Sequence, residues 1–356
     1  MQQADNGWPT VSVITVSLNG KKWLKDLFDS ILESDYPPDK IEIIFVDNGS
    51  TDGSVEFVKD MFRNDARMTI IQNSGNLGWS PANNQGMKVA VGEIVVCVSN
   101  DMIVETNWIK EIVKVMKADK QIGMVQCNSI SMWDRKTPDS GMNYLDRFGY
   151  SYSYASSKTN HEVFFAEGMA FAIKKEVIDK IGVFDDYFFM EYDDMDLSWR
   201  ARLGGYKIFF VPTAIVYHAR GGTVGATYFQ RINNVMWYTR NHLVTLIKNY
   251  ELETLFKLSP IILTVELIKI IYLATAKKNL KLASAASKGV IQVMRDLRII
   301  MQKRSETQRI RSVSDKVILK VMHPFNPWLL RLFLVKQSKA ERLVLQSNPP
   351  INWSFK

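Results

Sequence analysis

The chain has 356 residues, of which 46% are hydrophobic and 23% charged, so it can bury a large core and is too apolar to be disordered. Its two cysteines, Cys97 and Cys127, lie in apolar stretches, which argues against a disulfide framework and favours a reducing compartment. The net charge is +8, but residues 246–356 hold 20 basic and 7 acidic side chains, a balance of +13 that leaves −5 for residues 1–245. This asymmetry predicts an anionic surface as a partner of the basic part.

Strands and helices alternate over about the first 130 residues. Apolar β-branched runs predict strands, and the segments between them predict helices. The predicted strands are 10–18, 41–46, 68–72, 93–99 and 122–128, and the predicted helices are 20–33, 53–62, 81–91 and 107–118. Asn19 and Asp52 are expected to cap the first two helices. The alternation predicts a mostly parallel sheet covered on both faces, and such sheets bind ligands at the carboxyl ends of their strands.

The rest of the chain changes character twice. Residues 130–230 mix short apolar runs with Gly, Tyr and Ser loops, which is typical of a substrate-facing region. From about residue 228 the pattern is helical to the end. We therefore divide the chain into a catalytic domain, residues 1–245, and a basic helical extension, residues 246–356. The first ten residues lack a basic segment followed by an apolar run, so we expect no signal peptide.

Two connections after predicted strands are candidates for ligand binding. Asp47 ends the apolar run 41–46 and opens a turn of small polar residues, where a ligand would lie. The alternative for this turn is a cap of the next helix. The segment NSGNLGWSPANNQG, residues 73–86, has three glycines and four asparagines, which can bring backbone amides to a ligand. The alternative is an ordinary Gly- and Asn-rich loop.

Asp101 and His218 are candidates for binding a metal. Asp101 ends the fourth predicted strand beside Ser99 and Asn100, and a carboxylate there suits a hard divalent cation that bridges phosphates. The alternative is a turn-forming Asn-Asp pair. His218 follows the apolar run AIVY, where a histidine is more often a hydrogen-bonded core residue unless a metal lies near.

Four acids within six residues form the next candidate: Glu191, Asp193, Asp194 and Asp196. They precede a predicted helix, whose positive end they suit, and a solvated helix start explains one or two of them, Asp196 as the cap foremost. Aromatic residues flank the other acids. Crowded carboxylates raise one another's pKa, which helps to make a general base.

Together these segments resemble the family 2 glycosyltransferases with a GT-A fold, and within them the rhamnosyltransferase-like group. The resemblance covers residues 10–245 closely and continues more loosely to about 320. Its segments occur in the family's order: VSVITVSLNG, IIFVDNGSTDGS, NLGWSPANNQG, VSNDM and FFMEYDDMDLSWRARLGGYKIFFVPTAIVYH. It implies an α/β GT-A nucleotide-sugar-binding fold, a Rossmann-like mixed sheet between helices, followed by a C-terminal helical extension.

The resemblance also implies roles for single residues. Asp194 would deprotonate the acceptor hydroxyl, with Asp193 and Trp199 on the acceptor side. Asp101 and His218 would hold Mg²⁺ or Mn²⁺ on the diphosphate. The implied donor-binding residues are Thr15, Ser17, Asp47, Asn76, Gly78, Trp79, Asn83 and Asn100.

Two departures from the family pattern stand out. The chain has Ser99-Asn100-Asp101 where many relatives carry a first acid, so only one carboxylate of this segment faces the metal, and the metal would be held weakly or partly by water. The acid pair is Asp193-Asp194 rather than Glu-Asp. One carboxylate base and no second nucleophile favour direct displacement with inversion. The alternatives are a catalytically silent sugar-nucleotide-binding subunit, or a sugar nucleotidyltransferase, for which SLNGKKW is a poor loop.

The expected partners are a UDP-, dTDP- or GDP-sugar donor and a glycan acceptor, lipid-linked in many relatives. We expect no nucleic acid. Residues 258–276 are an apolar run, but Glu266 and Lys269 in its middle argue against a spanning helix. Residues 313–337 mix Lys, Arg, Trp and Leu as an interfacial helix does. We therefore expect a cytoplasmic protein, peripheral on the inner face of the membrane. The alternative is that these helices pack on themselves or form a homodimer surface.

Overall fold

The computed structural model describes residues 7–154, 157–219 and 232–324. Its strands are β1 Val11–Ser17, β2 Ile41–Asp47, β3 Met68–Gln72, β4 Ile94–Val98, β5 Met102–Val104, β6 Ile122–Ser131, β7 Pro138–Ser140, β8 Met142–Leu145, β9 Ser151–Tyr154, β10 His161–Glu162, β11 Ala170–Lys174 and β12 Lys207–His218. Its helices are α1 Lys21–Leu32, α2 Ser54–Met61, α3 Trp79–Val89, α4 Trp108–Ala118, α5 Lys175–Ile181, α6 Asp193–Leu203, α7 Ile232–Asn249, α8 Leu252–Thr275, α9 Leu280–Arg295, α10 Leu297–Arg309 and α11 Asp315–Val321. The strands and helices predicted for the first 130 residues are confirmed, and β5 was not predicted.

The main sheet has the order β10-β12-β6-β11-β4-β1-β2-β3, with β5 on β12 and β7 on β6. The ladder β4-β1-β2-β3 is parallel, as is β6-β12. Strand β11 lies antiparallel between β4 and β6. The expectation of a mixed, Rossmann-like sheet is confirmed. Strands β8 and β9 form a separate hairpin.

The sheet is apolar on both faces because neighbouring residues of its central strands pack into two different clusters. Val11 and Val13 of β1 pack with residues of α1, α2 and α4. Ile14 packs on the opposite face with residues of α3, α5 and α6. Burying one aliphatic side chain stabilises the fold by about 1.5–3 kcal/mol. Polar side chains then follow at the carboxyl ends of the strands, where Ser17 of β1 lies beside Asp47 of β2.

The capping predictions need correction. Asn19 does not cap α1: its side-chain oxygen accepts a hydrogen bond from the Thr51 amide at 2.8 Å instead. Asp52 serves two helices, because one carboxylate oxygen accepts from the Ser54 amide at 3.0 Å and the other from the Lys21 amide at 2.9 Å. The first turns of α1 and α2 are thereby tied together at the edge of the sheet where the strands end.

The C-terminal helices pack on the sheet-bearing part of the chain. A third apolar cluster combines Phe148 and Trp199 from that part with Tyr250, Ile300 and Ile318. Residue 245, after which the sequence analysis divides the chain, lies inside α7, and the division into two domains stays a prediction. Of residues 313–337, which were predicted to be interfacial, 313–324 are described and include α11, whose Ile318 packs in the third apolar cluster, and the rest, with Trp328, lie outside the described residues.

A buried charge cluster joins α7 to α6. Lys248 donates a hydrogen bond to Asp196 at 3.0 Å and another to Asp185. Arg200 also donates to Asp196, at 2.9 Å, and Lys303 of α10 lies 2.6 Å from Asp185. Burial alone would raise the pKa of Asp185, but the two lysines hold it well below its ordinary value. The prediction of Asp196 as a helix cap is wrong, because its carboxylate is buried and accepts hydrogen bonds from Lys248 and Arg200 instead.

Replacing Lys248 by methionine should lower the free energy of unfolding by about 3 kcal/mol, since it leaves two buried carboxylates short of a partner. Wild-type stability should also fall in acid. The pKa of Asp185 is lower in the folded than in the unfolded protein, so its carboxylate stabilises the fold at pH values above the unfolded pKa. This stabilisation is lost as the pH falls through the folded pKa. Chemical denaturation at several pH values measures both effects. The control is Lys257→Met, which removes an exposed pair with Glu253 and should change stability far less, because water and salt screen that pair. Equal losses in both variants would contradict the assigned role of the cluster.

Candidate active site

The carboxyl ends of β1 and β2 carry buried polar atoms with unused hydrogen-bonding capacity. Asp47 accepts hydrogen bonds through Oδ2 from the amides of Gly49 at 3.2 Å and Ser50 at 3.0 Å. Within the described residues, Asp47 Oδ1 and the neighbouring Thr15 Oγ1 are buried without a hydrogen-bond partner. An unpaired buried polar atom costs about 1–3 kcal/mol, so a ligand with matching groups would be stabilised there.

Ser17 is already bonded within the protein. Its hydroxyl accepts a hydrogen bond from Asn100 Nδ2 at 2.9 Å, which ties the end of β1 to the residues after β4. A Cβ at Gly20 would lie 1.9 Å from that amide nitrogen, so only glycine fits at this position. Ser17 and Asn100, both predicted to bind the donor, therefore also brace the floor of the site.

Asn48 fixes the Gly- and Asn-rich connection 73–78 beside Asp47. Its Nδ2 donates to Asn76 Oδ1 at 3.0 Å and to the Gly78 carbonyl at 3.1 Å, and its Oδ1 accepts from the Leu77 amide at 3.1 Å. Asn76 Oδ1 also accepts from the Gly78 amide at 2.9 Å. The side chain of Asn76 thus holds the loop, together with Asn48, which belongs to the predicted turn after Asp47 but was not assigned a donor-binding role.

Gly78 and Trp79 begin α3 and face the loop before α6. Gly78 has φ +96°, a backbone conformation that residues with a side chain rarely adopt, and a Cβ on it would lie 2.6 Å from the Phe189 ring. Both the backbone conformation and the lack of space therefore require glycine here. The Trp79 indole packs edge-to-face on Phe184 at 4.9 Å, and a Cβ on Gly168 would lie 2.7 Å from it. Asn83 Nδ2 donates to the Trp79 carbonyl at 3.0 Å, within α3. The donor-side loop is therefore packed directly against the segment that bears the acid pair.

His218, at the end of β12, lies between two carboxylates. Its Nε2 is 3.4 Å from Asp101 Oδ1, and its Nδ1 is 2.7 Å from Asp139 Oδ2. Burial lowers the pKa of His218, but its hydrogen bonds to Asp101 and Asp139 outweigh that and raise it to about 9. Asp139, on β7, was not predicted to belong to the site. The predicted neighbours Asp101 and His218 are brought together by the structure.

The Asp101–His218 pair fits a divalent cation. Ligand bonds of about 2.0–2.2 Å place neighbouring ligand atoms roughly 3 Å apart, close to the 3.4 Å between Asp101 Oδ1 and His218 Nε2. The bond to Asp139 orients the imidazole and leaves Nε2 for the metal, as a carboxylate behind a metal-binding histidine does. Over residues 7–154, 157–219 and 232–324, no three or more His, Cys, Asp or Glu side chains are placed to hold a metal by themselves. The remaining ligands would have to come from phosphate and water, which suits Mg²⁺.

Asp193 and Asp194 occupy the first turn of α6. Asp193 is buried and accepts a hydrogen bond from the Ser80 hydroxyl, which links it to α3. Asp194 accepts from the amides of Gly168 at 3.0 Å and Met195 at 2.7 Å. Burial, followed by the negative charges of Asp193 and Glu167, raises the pKa of Asp194 well above its ordinary value. A carboxylate in this environment takes up a proton readily, which is the property of a general base.

The backbone before the acid pair is strained and held by α7. Glu191 and Tyr192 have φ of 71° and 66°, a left-handed conformation that costs roughly 1–3 kcal/mol for each such residue. The buried Asn241 donates through Nδ2 to the carbonyls of Met190 at 2.9 Å and Glu191 at 2.8 Å. Asn241 therefore positions the start of α6, a role that the sequence did not reveal.

Trp199 does not lie on the acceptor side as predicted. Its side chain is fully buried and packs edge-to-face on Phe164 at 5.4 Å and on Tyr250 at 4.8 Å. Its position in the third apolar cluster makes it part of the contact between α6 and the C-terminal helices.

Residues 12–182, just under half of the chain, match the family model described as glycosyl transferase family 2, so the predicted resemblance to that family is confirmed over these residues. The match ends before the acid pair and His218, whose roles therefore stay predictions. Curated relatives include the poly-β-1,6-N-acetyl-D-glucosamine synthases of Staphylococcus epidermidis and Staphylococcus aureus, each 24% identical over 240 residues, or 66% of this chain and 55% of the relative. The chain spans about half the length of these curated relatives.

Solved structures show the same fold. GalNAc-T7 with UDP, GalNAc and Mn²⁺ is similar with a TM-score of 0.56 at 18% identity, covering 67% of this chain and 48% of that one. The mannosyltransferase PcManGT from Pyrobaculum calidifontis with GDP-Man and Mn²⁺ gives 0.52 at 20% identity, covering 86% of each chain. S. aureus TarS 1–349 gives 0.51 at 16% identity, covering 89% and 94%. The predicted GT-A fold is confirmed, and the rhamnosyltransferase-like group stays a prediction.

Proposed function

We propose that the chain transfers a sugar, with inversion, from a nucleotide-diphosphate sugar to a hydroxyl of a glycan acceptor in polysaccharide or glycoconjugate synthesis. One observation carries the proposal: Asp194, a carboxyl with a raised pKa, accepts a hydrogen bond from the Gly168 amide, and Gly168 lies directly against Trp79 of the Gly- and Asn-rich segment. The family supports a glycosyltransferase, and the named polysaccharide product of the similar synthases supports a glycan acceptor.

Donor binding follows from the strand ends. Asp47 Oδ1 and Thr15 Oγ1, which lack partners, would bond polar groups of the nucleoside. Asp101 and His218 would hold Mg²⁺ or Mn²⁺, which supplies positive charge to the diphosphate leaving group. The Mn²⁺-containing complexes of GalNAc-T7 and PcManGT support this choice of ion.

Asp194 would take the proton of the acceptor hydroxyl while the acceptor oxygen bonds to the anomeric carbon and the bond from that carbon to phosphate oxygen breaks. The neighbouring carboxylates have other hydrogen-bond partners: Glu167 accepts a hydrogen bond from the Ser140 hydroxyl. Asp193 is bonded to Ser80, and Asp196 is bonded to Lys248 and Arg200. A single base without a second carboxylate nucleophile favours one displacement, which inverts the anomeric configuration.

A donor screen tests the proposed function. The protein is incubated with UDP-, dTDP- and GDP-sugars, with Mg²⁺ or Mn²⁺ and glycan acceptors, and the product is identified by mass and by the anomeric configuration in NMR spectra. A transferred sugar of inverted configuration is expected. A catalytically silent subunit would bind the donor without product. A nucleotidyltransferase would instead make the sugar nucleotide from a nucleoside triphosphate and a sugar phosphate.

Asn241→Ala should lower kcat by roughly ten- to hundredfold with little change in the donor KM, because a shift of about 1 Å in a reacting group can cost that much. The variant removes both hydrogen bonds that hold the carbonyls of Met190 and Glu191. The matched control is Thr245→Val, one turn along the same helix, whose buried hydroxyl has no hydrogen-bond partner within the described residues. Equal losses of kcat in the two variants would mean that α7 matters only for stability, which thermal unfolding of both would show.

A further inference from the structure

Helix α8, Leu252–Thr275, exposes apolar side chains and buries the two charged ones in its middle, Glu266 and Lys269. Of the described helices it is the one long and apolar enough to cross a membrane by length and composition. The fractional exposures are 80% for Phe256, 57% for Leu263, 57% for Leu267 and 51% for Ile271. These residues are seven, four and four positions apart, so they share one face. We call them, with Ile268, the outer face of α8.

The two charged residues in the middle of α8 face α7. Glu266 is 2% exposed and Lys269 9%, and the two form an ion pair. Glu266 also bonds His242 Nδ1 at 3.1 Å, and Lys269 donates to Thr239 Oγ1 at 3.1 Å. The hydrogen-bond partners of Glu266 and Lys269 lie on α7. If α8 spanned a bilayer, these two charged residues would lie near its centre, where each charge is costly. This arrangement suits a helix that lies along an interface rather than one that spans it.

Basic residues follow α8 in the sequence, at the turn into α9. Lys277, Lys278 and Lys281 are exposed there, followed by Lys288 on α9. The sequence has no acidic residue from 267 to 295. Leu280, at the same turn, is 73% exposed. This part of the chain therefore combines exposed apolar residues with basic residues that have no acidic residue between them in the sequence.

We propose that the outer face of α8, together with the basic α8–α9 turn, docks into the interface of an anionic phospholipid membrane. Lipid phosphates neutralise the lysines while the acyl boundary takes the apolar side chains. A second copy of the chain is the poorer occupant, because a two-fold contact through this surface brings the same lysines of both copies together.

The surface lies one helix away from the acid pair. The Tyr192 ring, directly before Asp193, is 5.5 Å from the His242 ring, and His242 bonds Glu266 of α8. If the proposed transferase function holds, docking through α8 would bring a lipid-linked acceptor to the side of the cleft that carries Asp194. This step alone rests on the proposed function.

Vesicle flotation of the full chain tests the docking. Vesicles of phosphatidylcholine with increasing phosphatidylglycerol are compared at low and high salt, for wild type and for Leu267→Gln/Ile271→Gln. Wild-type binding should rise with the anionic fraction and fall with salt, and the double variant should bind at least about tenfold more weakly. The matched control is Val91→Gln, which changes an apolar residue that is 77% exposed in the turn between α3 and β4 and should bind as wild type does.

Several outcomes would overturn the proposal. Equal binding by wild type and the double variant would show that α8 does not make the contact. Equal binding to neutral and anionic vesicles would show that anionic lipid is not required. A lipid-free dimer that the double variant dissociates would assign the surface to a second copy. Resistance to alkaline carbonate extraction would show a spanning helix instead. Transfer to a soluble acceptor without vesicles is measured in parallel, so a failure of docking and a failure of the transferase function give separate results.

Discussion

Asp194→Asn should lower turnover by about 10²–10⁴-fold and leave donor binding unchanged, the effect typical of removing an acid–base group. The amide cannot accept the hydroxyl proton, yet it keeps the size of the side chain, and its one oxygen can still accept one of the two hydrogen bonds that Gly168 and Met195 donate to Asp194. Single-turnover rates with saturating donor and acceptor measure the loss. Donor affinity measured calorimetrically shows whether the site is otherwise intact.

The pH profile supplies a second readout of this assignment. A base works in its deprotonated form, and the pKa of Asp194 is raised, so kcat should increase with pH through a range above that of an ordinary carboxyl. Asp193→Asn is the matched control. It removes a negative charge that raises the pKa of Asp194, so the rise in kcat should move to lower pH while most activity remains. Near-normal turnover of Asp194→Asn would exclude it as the base.

The strand ends were predictable from the sequence because burial on both faces demands apolar runs, and a run that stops at a polar residue marks the edge of the sheet. Asp47 and Asp101 were found in this way. Strand direction was not predictable. The apolar segment of β11, AFAIK, resembles the parallel strands in composition, yet it runs antiparallel between β4 and β6. Direction depends on the path of the connecting chain, which local pattern does not encode.

The acid-rich segment shows where residue type alone was insufficient. Asp194 and Asp196 are both carboxylates near a helix start. They are two positions apart, so their side chains differ by about 200° around the helix axis. Asp194 therefore faces Gly168, while Asp196 turns into the core beside Lys248. The same rotation buries Trp199, three residues beyond Asp196.

The missed residues act across long separations in sequence. Asp139 meets His218 from 79 positions away, and Asn241 meets Glu191 from 50. Asn48 reaches Asn76 across 28 positions. No short motif contains both partners, so only the folded chain could associate them.

Removing divalent metal should abolish transfer, and added Mg²⁺ or Mn²⁺ should restore it. Nucleotide affinity gives a readout that does not depend on turnover. Asp101→Ala should weaken nucleotide-diphosphate binding when Mn²⁺ is present and leave metal-free binding unchanged, because Thr15 and Asp47 are separate from the metal pair. Titration calorimetry of nucleotide with Mn²⁺ and with EDTA measures the four affinities. Full activity in EDTA would show that the reaction needs no metal. This measurement matters because Ser99-Asn100-Asp101 offers a single carboxylate, which would hold a metal weakly.

Asp139→Asn probes the same site from behind His218. Loss of a carboxylate that orients a metal-binding histidine typically costs 10–100-fold in metal affinity, so more Mn²⁺ should be needed for half-maximal nucleotide binding. The bond of 2.7 Å to His218 Nδ1 is the contact that changes. Asp60→Asn, an exposed carboxylate on α2, is the control and should leave the Mn²⁺ requirement unchanged. If Asp139→Asn instead weakens nucleotide binding equally with and without Mn²⁺, then His218 shapes the cleft and does not bind the ion, because an effect on metal affinity disappears when the metal is absent.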